Sequence, residues 1–346
     1  MSSSANIIAP VCVVKCVFSD GKEDEIGVLP GETVLEAAIR VGVPLRSECQ
    51  LGTCGTCKGK CLDGEFDLET DDGLTIMERQ HGLVLTCVMR PATDCVIQFT
   101  YPCLSKQAIR HPLIRGTIMR LEMVCSTVCR LVIDLGSASW SFLPGQYINI
   151  EIPGAGITRS YSMTNAPSEM RFAEFFVRLL PTGGMSDYLR SSAKLGDEVC
   201  VSGPFGSFFL RETPSPILMV AGGTGLAPML SMLQHLVDIG ETHRPVVLLF
   251  GANSEADLFG LDRLMAMQSQ FDSLMQESIV VHPTADWTGE VGHVTTLLRP
   301  EYINVGDVHV YLCGPPAMIE SAEGWLLRHD VSDERIFAEK FLPSGG

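Results

Sequence analysis

Cys49-Gln50-Leu51-Gly52-Thr53-Cys54-Gly55-Thr56-Cys57, with Leu85-Thr86-Cys87-Val88 further on, is the stretch that sets the reading of this chain. Three cysteines stand at C-x4-C-x2-C spacing, and a fourth follows after 29 residues. Gly52 and Gly55 let the loop backbone fold tightly and aim N–H groups inward. Four thiolates, three from one loop and one from elsewhere, form a ligand set for iron.

Three other readings fit the spacing less well. A structural zinc site usually pairs two C-x2-C knuckles, and only one is present. A thioredoxin-like C-x-x-C would sit at a strand-to-helix junction without two further cysteines. Unliganded core cysteines would not reproduce the complete spacing. The pattern is the plant-type ferredoxin arrangement for a [2Fe–2S] cluster, which makes Cys49, Cys54, Cys57 and Cys87 the expected ligands. Cys61 falls outside the spacing and reads as a bystander thiol.

The chain around this loop is large enough for two or three domains, at 346 residues. Its 46% hydrophobic and 19% charged content excludes a disordered or collagen-like chain. A net charge of -16 argues against nucleic-acid binding, which needs clustered Lys and Arg. Thirteen cysteines without a secretory signal read as reduced cytoplasmic thiols, not a disulfide framework. No apolar run reaches the roughly 18 residues needed to span a bilayer. The charge is uneven: residues 1–104 carry net -7, residues 105–213 net +2 and residues 214–346 net -11.

Patterning changes at the same places. Residues 11–18 and 26–29 flank a turn at 19–22 and predict a hairpin; Thr33 caps an expected short helix over 34–39, and strands are expected at 83–89 and 95–100. This small α+β unit ends near Tyr101-Pro102. From Pro112, β-rich segments at 114–124, 128–135, 146–152, 160–163, 173–180 and 198–202, with one short helix at 186–193, suggest a barrel or sandwich. The last third alternates: strands 216–221, 246–250, 278–282 and 308–312, helices 227–239, 258–270, 293–298 and 315–329. Alternation implies a parallel sheet.

Two further constellations carry chemistry. Arg159-Ser160-Tyr161-Ser162 lies on an expected strand, and Gly183-Gly184-Met185-Ser186 opens the short helix. Paired glycines at a helix N-terminus admit a pyrophosphate, Arg159 can add a bidentate contact, Tyr161 offers a flat surface to an isoalloxazine, and Ser162 a hydroxyl. Together they read as a flavin site. Gly222-Gly223-Thr224-Gly225-Leu226-Ala227-Pro228 follows an apolar strand and opens a helix, the setting of a dinucleotide phosphate loop. Cys313-Gly314-Pro315-Pro316 ends strand 308–312 in the same way, placing a thiol at the carboxyl edge of the sheet.

RxYS (159–162), GGxS (183–186), GPFG (203–206), GGTGxAP (222–228) and CGPP (313–316), in this order, resemble the ferredoxin–NADP reductase superfamily. Behind a plant-type ferredoxin domain, they resemble a three-domain oxygenase reductase, closest to the benzoate/anthranilate dioxygenase reductase group. Reductases of soluble di-iron monooxygenases share the order. The resemblance implies an α+β ferredoxin (β-grasp) domain at 8–104, an antiparallel β-barrel FAD domain at 111–213 and an α/β parallel-sheet NAD domain at 214–346.

It also implies roles. Arg159, Ser160, Tyr161 and Ser162 would hold the flavin, with Ser162 facing its reactive nitrogen; Gly183, Gly184, Met185 and Ser186 would hold the pyrophosphate. Gly222, Gly223, Thr224, Gly225, Cys313, Gly314 and Pro315 would flank the nicotinamide nucleotide. Phe341 is the candidate aromatic over the flavin, although Leu342–Gly346 follow it, and Glu339 is a candidate proton- or hydride-positioning group or a solvated surface acid. The stretch 251–259 holds two acids, Glu255 and Asp257, and no base, which favours NADH over NADPH; Asp257 either faces the ribose or caps the next helix. Electrons would pass from NADH to FAD to the [2Fe–2S] cluster and on to an oxygenase or an intermediate ferredoxin. A non-catalytic redox sensor is the remaining alternative. The acidic run Asp63, Glu65, Asp67, Glu69, Asp71 and Asp72 could steer a basic docking face or simply solvate a loop.

Overall fold

A computed structural model describes residues 12–103, 113–137 and 140–341. The expected domain limits 8, 104, 111 and 346, and the tail Leu342–Gly346, lie outside these residues. The chain divides into two compact units, at residues 1–110 and 111–346, each described by itself below. No helix among the described residues is long and apolar enough to cross a membrane.

In the first unit, strand β1 (Cys12–Val17) pairs antiparallel with β2 (Glu23–Val28). Helix α1 (Val34–Val41) follows, started by a reciprocal cap between Thr33 and Glu36 and ended at Gly42. After the cysteine loop come β3 (Lys58–Asp63), β4 (Phe66–Leu68), helix α2 (Ile76–Gln80), β5 (Leu83–Leu85), β6 (Met89–Pro91) and β7 (Cys95–Gln98). The main sheet runs β2-β1-β7-β3-β5, with β1 and β7 parallel. Val14, Ile26, Leu35, Val84 and Ile97 pack its core against α1.

The expected strand 83–89 is in fact two. Strand β5 pairs with β3 and β6 with β4, and the turn between them holds Thr86-Cys87-Val88. The break has a local cause: Thr86 donates both its N–H and its Oγ to the Cys57 carbonyl, each at 3.2 Å, which pulls the chain out of the ladder beside the loop.

The second unit contains two sheets. Strands β8 (Ile114–Met123), β9 (Val128–Asp134), β10 (Tyr147–Ile152), β11 (Ile157–Ser162), β12 (Phe172–Arg178) and β13 (Glu198–Phe205) form an antiparallel sheet ordered β11-β10-β13-β8-β9-β12. A bridge between Met163 and Phe175 draws its two edges together, which makes it a barrel. Helix α3 (Gly184–Ser191) packs against its end.

The other sheet is wholly parallel, ordered β17-β16-β15-β14-β18-β19. Its parts are β14 (Ile217–Gly222), α4 (Leu226–Asp238), β15 (Val246–Ala252), α5 (Leu261–Gln268), β16 (Leu274–Val280), β17 (Glu290–Val291), β18 (His309–Gly314), α6 (Pro316–Leu327) and β19 (Ile336–Lys340). Three expectations are corrected. The third strand begins at Leu274, because pairing with β15 carries Gln276-Glu277-Ser278 into the sheet despite their polarity. The helix expected at 293–298 is a short 3-10 turn over Val294–Leu297, where two adjacent threonines disfavour an α-helix. Strand β19 was not anticipated; its five residues are all only half-buried and include Glu339-Lys340, so no period-2 apolar signal marks it.

Candidate functional sites

In the first unit the four expected ligand sulfurs form two close pairs. Cys57 Sγ and Cys87 Sγ lie 3.3 Å apart, and the ligand atoms of Glu48, Cys49 and Cys54 all lie within 4.8 Å of one another. All thirteen cysteines are free thiols. The Cys49 sulfur accepts from the Leu51 N–H and the Thr53 hydroxyl, both at 3.4 Å. A bond from the Cys54 thiol, reinforced by these donors, overrides burial and draws Cys49 down to about 4, while the Cys54 thiol is pushed up. Cys57 is likewise drawn down by the Cys87 thiol, which is itself pushed up. In each pair one thiol is thus easier and the other harder to ionise, and a bound cation would displace their protons.

The loop leaves no room for side chains at its turns. A Cβ on Gly52, whose φ is +73°, would meet Thr70 Cγ2 at 2.6 Å. Gly73, not singled out from sequence, donates its N–H to the Gly52 carbonyl at 2.8 Å and so ties the loop to the segment before α2. Lys58, next to Cys57, pairs with Glu78 at 2.7 Å; the same carboxylate caps α2 through Thr75. Two sulfur pairs with inward N–H groups fit a cluster of two irons held by four cysteines. In the acidic run, Glu69 and Asp71 are paired with Arg90 and Arg79, while Asp63, Glu65, Asp67 and Asp72 are exposed.

Of the eight remaining cysteines outside the nicotinamide motif, Cys12, Cys16, Cys95 and Cys129 are buried, as packing residues should be. Cys61, Cys103, Cys125 and Cys200 are only half-buried, and Cys61 donates to the Asp63 carbonyl at 3.2 Å.

In the second unit, β11 carries the arginine–tyrosine motif. Alternation puts Arg159 and Tyr161 on one face and Ser160 and Ser162 on the other. Tyr161 packs on the barrel core beside Phe175, at 6.3 Å between ring centres, and burial pushes its hydroxyl up. Ser160 donates to Asn149 Oδ1 at 2.6 Å. At the start of α3 the Ser186 hydroxyl accepts the Leu180 N–H at 3.0 Å and Met185 is buried in the barrel core. What this turn can offer a pyrophosphate is therefore backbone: no side chain caps α3 from Gly183.

The phosphate loop leads from β14 into α4 through a 3-10 turn over Gly223–Gly225, also without a side-chain cap. Gly225 is required there, since a Cβ would lie 2.1 Å from the Cys313 carbonyl oxygen. Cys313 is fully buried, and burial with the nearby Glu339 carboxylate pushes its thiol up. Strand β19 pairs Glu339 directly with Cys313 and Lys340 with Gly314, and the Phe341 N–H donates to the Gly314 carbonyl at 2.8 Å. Phe341 packs, partly buried, on the core under the sheet.

The junction of the two sheets is the decisive feature. Ser162 Oγ donates to Glu339 Oε2 at 3.1 Å across 177 residues of sequence, so Ser162, Glu339 and Cys313 meet where Thr224 and Gly225 open α4. Glu339 is therefore not a solvated surface acid. Asp257 bonds across to the barrel. Its two carboxylate oxygens accept from Thr127 Oγ1 at 2.7 Å and Ser254 Oγ at 2.8 Å, binding it to the barrel, and it caps no helix because α5 begins at Leu261. Thr127 and Ser254 drive its carboxyl below the usual range against burial, with Arg178 assisting.

A thiol-rich loop shaped for a two-iron cluster, joined in one chain to a flavin barrel and a nucleotide sheet, defines an iron–sulfur flavoprotein oxidoreductase. Comparison with known proteins agrees domain by domain: residues 17–92 match the 2Fe-2S iron-sulfur cluster binding domain, 115–210 the oxidoreductase FAD-binding domain and 219–324 the oxidoreductase NAD-binding domain. The chain is 36% identical over 94% of its length to the toluate 1,2-dioxygenase electron transfer component of Pseudomonas putida, covering 97% of that protein. It is 37% identical over 91% of its length to the 2-halobenzoate 1,2-dioxygenase electron transfer component of Burkholderia cepacia, covering 93% of it. Among solved structures, a cytochrome P450 reductase of Amycolatopsis matches with TM-score 0.69 and 30% identity over 95% of this chain and 99% of the other. The chain belongs to the three-domain oxygenase reductases of the ferredoxin–NADP reductase superfamily, in the group of dioxygenase electron transfer components. Its cofactors are a [2Fe–2S] cluster and FAD, with NADH as electron donor.

Proposed function

We propose that this chain is the NADH-dependent reductase component of a Rieske aromatic-ring-hydroxylating dioxygenase. The observation that carries the reading is the meeting of Ser162, Glu339 and Cys313 beside the phosphate loop, in a chain that also holds the paired thiols of Cys49, Cys54, Cys57 and Cys87. FAD and the cluster, when bound, would supply the conversion of a two-electron reducing equivalent into single electrons.

The residues act around that conversion. Tyr161 supplies the flat face and Arg159 the charge for the flavin, and the uncapped first turn of α3 receives the pyrophosphate. Gly222, Gly223, Thr224 and Gly225 present N–H groups to the dinucleotide phosphates, with Cys313, Gly314 and Pro315 lining the nicotinamide side. Glu339, held by Ser162, keeps a carboxylate at the junction where the nicotinamide ring would lie, and buried Cys313 stays a thiol. Phe341 follows as the aromatic edge of the same site. Cys49, Cys54, Cys57 and Cys87 hold the cluster.

Domain limits at 8–104, 111–213 and 214–346, a monomeric state and a cytoplasmic location belong to the same proposal. The exposed Asp63, Glu65, Asp67 and Asp72 support docking of an oxygenase or intermediate ferredoxin through a basic face. NADH rather than NADPH rests on the absence of a base at 251–259.

The test is an anaerobic NADH titration of purified protein followed by absorption spectroscopy. Flavin and iron–sulfur bands that bleach together are expected; a colourless protein would sink the reading. Turnover with a Rieske oxygenase but not with a di-iron hydroxylase separates the two reductase classes. Failure to reduce cytochrome c despite bound FAD and cluster would favour a redox sensor.

A further inference from the structure

The residues that continue β11 past Ser162 are bolted to the nucleotide sheet more thoroughly than a mere domain contact requires. Thr164 and Asn165 are buried, at 0% and 1% exposure. The Thr164 carbonyl accepts Arg263 Nη2 at 3.0 Å, from α5. The Asn165 carbonyl accepts Ser231 Oγ at 2.7 Å, from α4. Arg263 Nη1 also donates to Glu174 Oε1 at 2.8 Å, and the other Glu174 oxygen accepts Arg130 Nη2 at 2.9 Å. The Asn165 side chain completes the brace by accepting the Glu174 N–H at 2.9 Å and donating to the Phe172 carbonyl at 2.9 Å.

Arg263 therefore spans two barrel acceptors, a carbonyl two residues beyond Ser162 and a carboxylate on β12, from the helix packed beside α4. The planar fork meets each acceptor with its own nitrogen, where a lysine would offer a single nitrogen to both. Helix α4 begins at the phosphate loop, and β11 carries Tyr161 and Ser162. The brace thus fixes the offset between the element that would carry the flavin and the element that would anchor the nucleotide.

We propose that Arg263 is a positioning residue for hydride transfer, setting that offset through Thr164 and Glu174. The inference rests on the proposed function above, in which the nicotinamide meets the flavin at this junction. Misplacement of reacting groups by an ångström costs about 100-fold in rate, so a lost brace should register in the chemical step more than in nucleotide affinity.

The test uses the full-length, cofactor-loaded chain with Arg263→Met, Arg263→Lys and Ser231→Ala. Flavin reduction is followed anaerobically with NADH and with NADH deuterated at the transferred position, and amide hydrogen exchange is read over residues 160–166. For Arg263→Met we expect flavin reduction slowed about 10- to 100-fold, an altered isotope effect, NADH affinity within about threefold, and faster exchange over 160–166. Arg263→Lys should recover part of the rate, and Ser231→Ala should show a smaller loss of the same kind. Rate and isotope effect within about twofold of the parent, alongside a lowered Tm, would overturn the proposal by reducing Arg263 to a structural ion pair. Should Arg263→Met fold poorly, Arg263→Lys and Ser231→Ala decide on the same readouts. A parent protein whose flavin NADH does not reduce would overturn the functional reading instead, and unchanged exchange over 160–166 would then overturn the brace as well.

Discussion

The cysteine loop and the Ser162–Glu339–Cys313 junction, the two sites proposed to hold redox groups, are built in opposite ways. The loop draws three of the four proposed ligands from nine consecutive residues, and the fourth is brought in by a single turn bonded to the Cys57 carbonyl. The junction takes one residue from a barrel strand and two from neighbouring strands of a different sheet, with 177 residues between Ser162 and Glu339. A multivalent cluster needs a chelate, and a chelate is built most directly along the chain. A site between a flavin and a nucleotide needs two independent scaffolds, so its residues must come from both.

The sharpest break in the comparison is Cys87→Ser. It should remove the cluster while the second unit keeps its flavin. Delivery to cytochrome c is expected to fall by about 100-fold or more, beyond the 10–100-fold typical of losing an outer-shell partner. NADH-dependent reduction of ferricyanide, taken from the flavin, should persist; its loss would mean the two regions are not separable.

Glu339→Ala tests the other region alone. Flavin reduction by NADH should slow about 100-fold with the iron–sulfur spectrum unchanged. A rate within a few-fold of the parent would leave Ser162–Glu339 as a structural contact.

Asp257→Ala asks whether the nucleotide preference lies at this acid. Both oxygens are occupied by Thr127 and Ser254, so the expected result is a loss of about 1–2 kcal/mol in unfolding free energy with the NADH-to-NADPH ratio unchanged. A collapsed ratio would assign Asp257 to the ribose.

A pH series sharpens the comparison further. Burial raises the Glu174 carboxyl, but Arg130 and Arg263 outweigh it and hold the value below the usual one. A carboxyl depressed on folding contributes stability that is full above its unfolded value and fades as pH falls through the folded one. Acidification should therefore weaken the parent more than an Arg263→Met variant, in which that depression is reduced, as read from Tm against pH.

The smallest effect is expected from Thr33→Ala, which removes one half of a reciprocal cap on α1 while leaving in place the Leu35 N–H bond to the Thr86 carbonyl, at 2.9 Å, by which that helix meets the cysteine turn. It should cost about 1 kcal/mol by denaturant unfolding and leave the cluster spectrum alone.

How much of this was legible follows from how the information is stored. The four ligands, the Thr33 cap, the barrel segments and the alternation of the last third can all be read locally, because spacing, caps and apolar period are properties of neighbouring residues. Gly73 is not legible because its contribution is a backbone N–H given to Gly52, which no side chain advertises. Strand β19 was missed because a half-buried edge strand carrying Glu339-Lys340 shows no alternation. The bond from Thr127 to Asp257 is not legible locally, because an acid after a nucleotide-sheet strand looks alike whether or not a barrel threonine meets it.

The sequence by itself therefore determined the cofactor set and the order of the three folds. Chelation and phosphate binding demand fixed local patterns. Only the tertiary structure decided which carboxylate stands at the junction, that Asp257 serves the domain contact, and that Arg263 and Ser231 fasten the segment beyond Ser162. Those are choices among residues of equal local character, and only packing two sheets together separates them.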